Sequence, residues 1–184
     1  MIPSSLTVRL RSIDELFGAL EAAATVVDEE AVDLLTHGLQ CAAILERVEA
    51  ADVELQIAGL VHDLGTMLAP GHPESHAAAG AAALGELLGH RVAGLVARHD
   101  DAKRFLVTTD PGYRHRLSER SLETLRVQGG LMDPEERAAL LGYADLEACL
   151  TLRRADDMAK TPGVHVPGLA HWRTVLEPLG RSAA

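Results

Sequence analysis

Aromatic side chains are nearly missing from this chain: two Phe, two Tyr and one Trp amount to 3% of its 184 residues. β-Branched and aromatic runs are scarce while Ala and Leu abound, so the composition favours packed helices over a sheet. Positive charge is also in short supply, with 17 Lys and Arg against 27 Asp and Glu. The net charge of −10 argues against a nucleic-acid-binding surface, which needs a clustered basic face. The two cysteines, Cys41 and Cys149, form no closely spaced pair, so neither a disulfide framework nor a zinc ribbon is indicated. No apolar stretch reaches the ~20 residues that span a bilayer. The leading residues, MIPSSLTVRLRS, carry no apolar signal core. That argues against export and against a membrane partner, and makes the cytoplasm the expected location.

Hydrophobic residues make up 47% of the chain, enough for one sizeable core. No repeat, linker or low-complexity tract divides it, and the reading is a single all-α domain over residues 1–184. Ser12-Ile13-Asp14-Glu15 has the spacing of a capping box and opens an apolar-periodic segment ending near Ala24. A second helix is expected from about Glu30 to Val48, and a third from about Val53 to Met67, with Gly65 and Pro70 as breakers. APGHPES is the clearest loop; after it Ser75 is placed to cap a helix over 77–88, followed by another over about 90–100. Asp133-Pro134-Glu135-Glu136 reads as N-cap, proline at N1 and acids in the first turn, opening two helices that continue to about Lys160. Residues 105–130 carry no clear periodicity.

One short stretch stands out. QIAGLVHDLG places His62 and Asp63 at the end of an apolar run, where an unpaired charge is costly to strip of water. Among nine histidines, His115, His165 and His171 lie in polar or Pro/Gly-containing surroundings and read as surface residues, and His72 and His90 flank loops. His37, His62, His76 and His99 fall on expected helices or helix starts. With Asp63 and the late pair Asp156-Asp157 they offer the imidazole and carboxylate mixture that suits iron, manganese or zinc. Such a metal compensates a buried carboxylate and selects neutral imidazole. Adjacent helical residues point about 100° apart, so His62 and Asp63 reach one ion only near a helix end; alternatively, Asp63 bridges two ions.

A histidine, then a His-Asp doublet, then a distant Asp is the metal-binding signature of the HD-domain superfamily, and His37, His62-Asp63 and Asp156 stand in that order. SHAAAG, with His76 four residues before Gly80, and HDDAKRFL followed by TTDPGY narrow the likeness. Together these segments resemble the HD-domain mixed-valent diiron oxygenases, a branch that includes myo-inositol oxygenase and the organophosphonate-cleaving enzymes. The likeness to the latter runs from about Glu30 to Pro178 and takes in LSERSLETLRVQGG, LRRADDMAKTPG and HWRTVLEPL.

The resemblance implies an HD-domain helical bundle with two iron ions, Fe(II) and Fe(III), as cofactor. One iron would be held by His37, His62 and Asp156, the other by His76 and His99, with Asp63 bridging. Asp156 is preferred to Asp157 from its place four residues before Lys160 in RRADDMAK. It further implies a small hydroxylated anionic substrate that chelates one iron, dioxygen at the other, and oxidative C–C or C–P cleavage. Lys103, Ser121, Thr124 and Arg153 match the positions that hold the phosphonate, and Glu30 matches a substrate-contacting glutamate. Two positions depart from the pattern: Val27 stands where a tyrosine is usual and Thr66 where a histidine is usual. Both are expected in the pocket and bear on which substrate is used. The competing reading is a metal-dependent HD phosphohydrolase acting on a phosphate monoester or nucleotide through activated water. A silent binding domain is a third class.

Overall fold

The computed structural model describes residues 8–27 and 32–182, with side chains through Pro178. Among these residues the architecture is all-α, as expected, and the one strand-like contact is an isolated bridge between Val27 and Asp33. The elements are α1 (Ile13–Ala23), α2 (Leu34–Val48), α3 (Val53–Val61), α4 (Gly65–Leu68), α5 (His76–Thr109), a 3₁₀ turn (Tyr113–Arg116), α6 (Glu119–Val127), α7 (Pro134–Leu141), α8 (Leu146–Met158) and α9 (Leu169–Ser182). Helices α2, α3, α5 and α8 pack on one another in the middle, α4 lies on α5, and α1 and α9 pair beside them. Apolar residues such as Leu45, Ile57, Leu95 and Leu152, all fully buried, line the contacts. Among the described residues no helix is long and apolar enough to cross a membrane.

Local chemistry accounts for most boundaries. Asp33 caps α2 by accepting from the Thr36 amide at 2.8 Å, so this helix begins at Leu34 rather than at Glu30, which lies outside the described residues. The full capping box forms at Asp133, whose carboxylate accepts from the Glu136 amide while Glu136 reaches back to the Asp133 amide. At Ser12 only half of it forms. Ser12 accepts from the Glu15 amide, but the Glu15 carboxylate takes the amide of Arg11 instead. Ser75 precedes α5 without a side-chain cap. The unassigned stretch 105–130 contains the end of α5, the 3₁₀ turn and α6, and the C-terminal segment adds α9, whose Trp172 and Leu176 are fully buried.

Two corrections concern the site directly. The third helix does not run on to Met67. It stops at Val61, and the backbone tightens into three-residue turns, with bonds from Leu64 N to Val61 O, Thr66 N to Asp63 O and Met67 N to Leu64 O at 2.9–3.1 Å. Such tightening turns each residue further round the axis than an α-helix does, and here it falls on the His-Asp doublet. The two helices expected around residue 89 are one element running to Thr109 with a break at Gly89, whose φ of 87° suits glycine. His76 and His99 thus sit on different arms of a bent helix.

Gly65 ends no helix; it begins α4, and close approach is its reason for being glycine. A Cβ there would lie 1.8 Å from the His76 carbonyl oxygen and 2.8 Å from the Gly80 nitrogen, both backbone atoms that cannot swing aside. Gly65→Ala should therefore push α5 away and lower stability by about 1–3 kcal/mol, measured as a lower denaturation midpoint. Gly18→Ala is the control, because a Cβ at this exposed helical position meets nothing within 4 Å and alanine is the better helix former; its midpoint should hold or rise.

Candidate metal centre

Six side chains from five segments converge. His37 lies in the first turn of α2, His62 and Asp63 in the tightened turn after α3, His76 at the start of α5, His99 on its second arm and Asp156 in the last turn of α8. All four histidines are buried, His62 completely. Each ring is oriented through Nδ1 by a backbone carbonyl. His62, His76 and His99 use the carbonyl three residues earlier, those of Gly59 (2.9 Å), Pro73 (2.6 Å) and Val96 (2.7 Å). His37 instead bonds the carbonyl of Ala159 at 2.8 Å, tying α2 to the end of α8.

With Nδ1 donating, a neutral ring presents a bare lone pair at Nε2. The four Nε2 atoms meet in two pairs, His37 with His62 at 3.2 Å and His76 with His99 at 2.9 Å. Asp63 lies between the pairs. Its Oδ2 is 3.6 Å from His37 Nε2 and 3.5 Å from His62 Nε2, while its Oδ1 is 3.4 Å from His76 Nε2 and 3.5 Å from His99 Nε2. Asp156 Oδ1 approaches His37 Nε2 to 3.2 Å. Two sets of donors, His37-His62-Asp63 and Asp63-His76-His99, are each compact enough to surround one ion, and they share Asp63. Ligands about 2.1 Å from one ion and at right angles stand ~3 Å apart, close to the spacings here. Lone pairs facing each other at that range repel unless a cation or a proton lies between them, so the donor set fits metal ions.

Electrostatics point the same way. Burial works to raise the Asp63 and Asp156 carboxyls. For Asp63 the imidazoles of His62, His76 and His99 outweigh it, for Asp156 the Arg153 guanidinium does, and both acids are held well below the usual carboxylate range. Burial works to lower His76, but its hydrogen bond and attraction to Asp63, with Asp100 behind, prevail and raise it to about 9.

These donors face a cavity of about 190 Å³, whose wall also includes Lys103, Ser121, Thr124 and Arg153. Lys103 and Arg153 are both 3% exposed. Burial lowers the Lys103 ammonium from its ordinary value; it donates to Thr124 Oγ1 at 3.0 Å and lies 3.6 Å from Asp100. Arg153 bonds Asp156 Oδ2 at 2.6 Å. Asp100, Arg120, Gln128 and Lys160 also line the polar wall, though none was assigned to the site from the sequence, where a lone charge or amide carries no distinguishing pattern. Thr66 lines the cavity as expected, but Val27 does not; it is 73% exposed. Asp157 points away from the histidines and pairs with Arg153 and Tyr113. His72, His90, His115 and His165 are exposed, and the half-exposed His171 bonds Glu46 at 3.0 Å.

A raised His76 has a measurable consequence. Below about pH 9 its ring carries an extra proton in the metal-free protein, and a metal must displace it. Co(II) binding at pH 7 in weak buffer should release this proton, and the release should shrink as the pH approaches 9. Calorimetry in buffers of different ionisation enthalpy, with His76→Ala as reference, reads the difference.

No protein-family model matches the chain. Two relatives do. The hydroxymethylphosphonate dioxygenase of Gimesia maris is 34% identical over 158 residues, 81% of this chain and 78% of its own length. The [1-hydroxy-2-(trimethylamino)ethyl]phosphonate dioxygenase (glycine-betaine-forming) of Leisingera caerulea is 31% identical over 156 residues, 80% of this chain and 79% of its own. With this likeness over most of both lengths, and with the paired histidines around a shared aspartate, the chain belongs to the HD-domain oxygenase family, close to the organophosphonate-cleaving oxygenases.

Proposed function

We propose that the protein is a diiron dioxygenase that cleaves the C–P bond of a 1-hydroxyphosphonate. The observation that carries the reading is the sharing of Asp63 between two histidine pairs, beside a cavity walled by a buried lysine and a buried arginine. The named substrates of both relatives, a hydroxymethylphosphonate and a 1-hydroxy-2-(trimethylamino)ethylphosphonate, share a hydroxyl on the carbon bearing phosphorus. The balance is complete without an added reductant: a 1-hydroxyphosphonate and O2 give a carboxylate, inorganic phosphate and a proton.

In this reading His37, His62 and Asp156 would hold one iron and His76 and His99 the other, with Asp63 as a ligand shared by both. The iron pair, when bound, supplies oxygen activation and the electron transfer that a closed-shell protein side chain cannot. The chain supplies orientation. The four Nδ1–H···O=C bonds fix each ring before any ion arrives, so little reorganisation accompanies loading. Lys103 and Arg153 would present cationic donors to the phosphonate oxygens, with Ser121 and Thr124 as neutral donors, and the burial of both cations strengthens each contact. That clamp holds the hydroxyl-bearing carbon toward the histidine pairs. Glu30 has the place of a substrate-contacting residue. A phosphohydrolase would use the cations to activate water and clamp a phosphate; the relatives' names support the oxygenase, and oxygen consumption with a 1-hydroxyphosphonate separates the two.

Asp63→Ala removes an oxygen from each donor set. It should abolish paired metal uptake while circular dichroism stays helical; metal analysis showing two irons per chain would defeat the bridging assignment. Lys103→Met keeps the apolar stem and loses the charge. It should raise KM for hydroxymethylphosphonate and lower kcat/KM by about tenfold, the loss of one charge-assisted hydrogen bond. Wild-type kinetics in Lys103→Met, or no oxygen consumption with any 1-hydroxyphosphonate, would exclude the phosphonate clamp.

A further inference from the structure

Asp156 and Asp157 are neighbours on α8 but face different partners, and Arg153 stands between them. Each nitrogen of this buried guanidinium is directed at a separate group. Nη1 donates to Asp156 Oδ2 at 2.6 Å, Nη2 donates to Asp157 Oδ1, and Nε donates to the Tyr113 hydroxyl oxygen at 3.0 Å. The Tyr113 hydroxyl in turn donates to Asp157 Oδ2. Tyr113, Asp157 and Arg153 therefore close a ring of hydrogen bonds, and Asp156 hangs from it by one oxygen. Its other oxygen, Oδ1, lies 3.2 Å from His37 Nε2, and the Arg153-bound Oδ2 itself stands 3.8 Å from His62 Nε2. Tyr113 is 4% exposed and is not part of the cavity wall. Burial holds its phenol well above the ordinary range, so it remains a donor. It comes from the 3₁₀ turn after α5, the helix of His99 and Lys103, and so links the two sides of the centre.

We infer that Tyr113 is a positioning residue: acting through Asp157 and Arg153, its hydroxyl fixes the orientation of the Asp156 carboxylate toward the His37–His62 pair. The inference rests on Asp156 serving the metal centre. An arginine on a flexible stem bound only by two carboxylates of one helix can rotate between them; the phenol is the third anchor, and it belongs to another element. Without it, Asp157 loses a donor and the buried Arg153 Nε an acceptor, and the guanidinium no longer holds one fixed hydrogen bond to Asp156. Because the influence passes through one side chain, loss of Tyr113 and loss of the Asp157 charge should not add.

The test is Co(II) titration of the full chain, followed by visible absorption, with a His76→Ala background isolating the His37 side. Tyr113→Phe should weaken Co(II) binding there by about three- to tenfold and shift the absorption bands. Asp157→Asn should act in the same direction, and the double variant should be no worse than the stronger single. Unchanged affinity and spectrum in Tyr113→Phe, while Arg153→Ala alters both, would overturn the inference and leave the metal reading intact. Should Tyr113→Phe fail to fold, an Asp157→Asn protein with wild-type affinity and spectrum overturns it equally. A wild-type chain that takes up no Co(II) would overturn the metal reading and this inference together.

Discussion

Four imidazole nitrogens and two carboxylates crowded into a few ångströms of low-dielectric interior are the constraint around which this bundle is arranged. Lone pairs at 2.9 and 3.2 Å are tolerable only with positive charge among them, and the backbone prevents the rings from turning away. Three of the rings are held by the carbonyl three residues earlier in their own segment, an acceptor available only near a helix end or beside a ring that competes for it. The fourth, His37, reaches across to Ala159. The bundle's contacts α2–α8 and α3–α5 are therefore also the contacts that set ligand spacing. A packing change that moves one helix by half an ångström is felt at the nitrogens, because close-packed interiors transmit strain.

An acidic protein with an anion-binding wall is less contradictory than its net charge of −10 suggests. Arg153 and Lys103 are inside, where low dielectric lengthens the reach of each charge, while the excess carboxylates are mostly on the surface and screened by solvent and salt. The buried cations are not idle before a ligand arrives. Lys103 is held by Thr124 and Asp100, and Arg153 by Asp156, Asp157 and Tyr113. Arginine suits the second role because its fork meets several acceptors in one plane, whereas lysine offers a point charge.

Much of the centre was legible because metal ligation restricts residue type severely. His37, His62, Asp63, His76, His99 and Asp156 were singled out by identity and order, and the structure brings all six together. The caps at Asp133 and Ser12 were legible for a similar reason: a short polar side chain three residues before a matching acid has few other uses. What escaped notice had no such restriction. Tyr113 sits in a turn between unassigned segments, and Arg120, Gln128 and Lys160 resemble ordinary surface residues. Val27 was expected in the pocket from its offset to Glu30, yet it is exposed; position in a motif says where a backbone passes, not where a side chain is directed.

Composition and order of residues by themselves determined that the chain is helical, that its histidines fall into surface and interior groups, and which of them carry the family's signature. These follow from local physics: propensity, period and the cost of burying charge act within a few residues. Tertiary structure supplied the geometry behind the bridging role expected of Asp63, dividing its two oxygens between two histidine pairs. It alone decided that the helix tightens at the doublet and that Gly65 is held glycine by the His76 carbonyl, and it turned Asp156, the aspartate preferred from the sequence, toward His37. Those outcomes depend on distances between segments far apart in the chain, which are settled only when α2, α3, α5 and α8 close on one another.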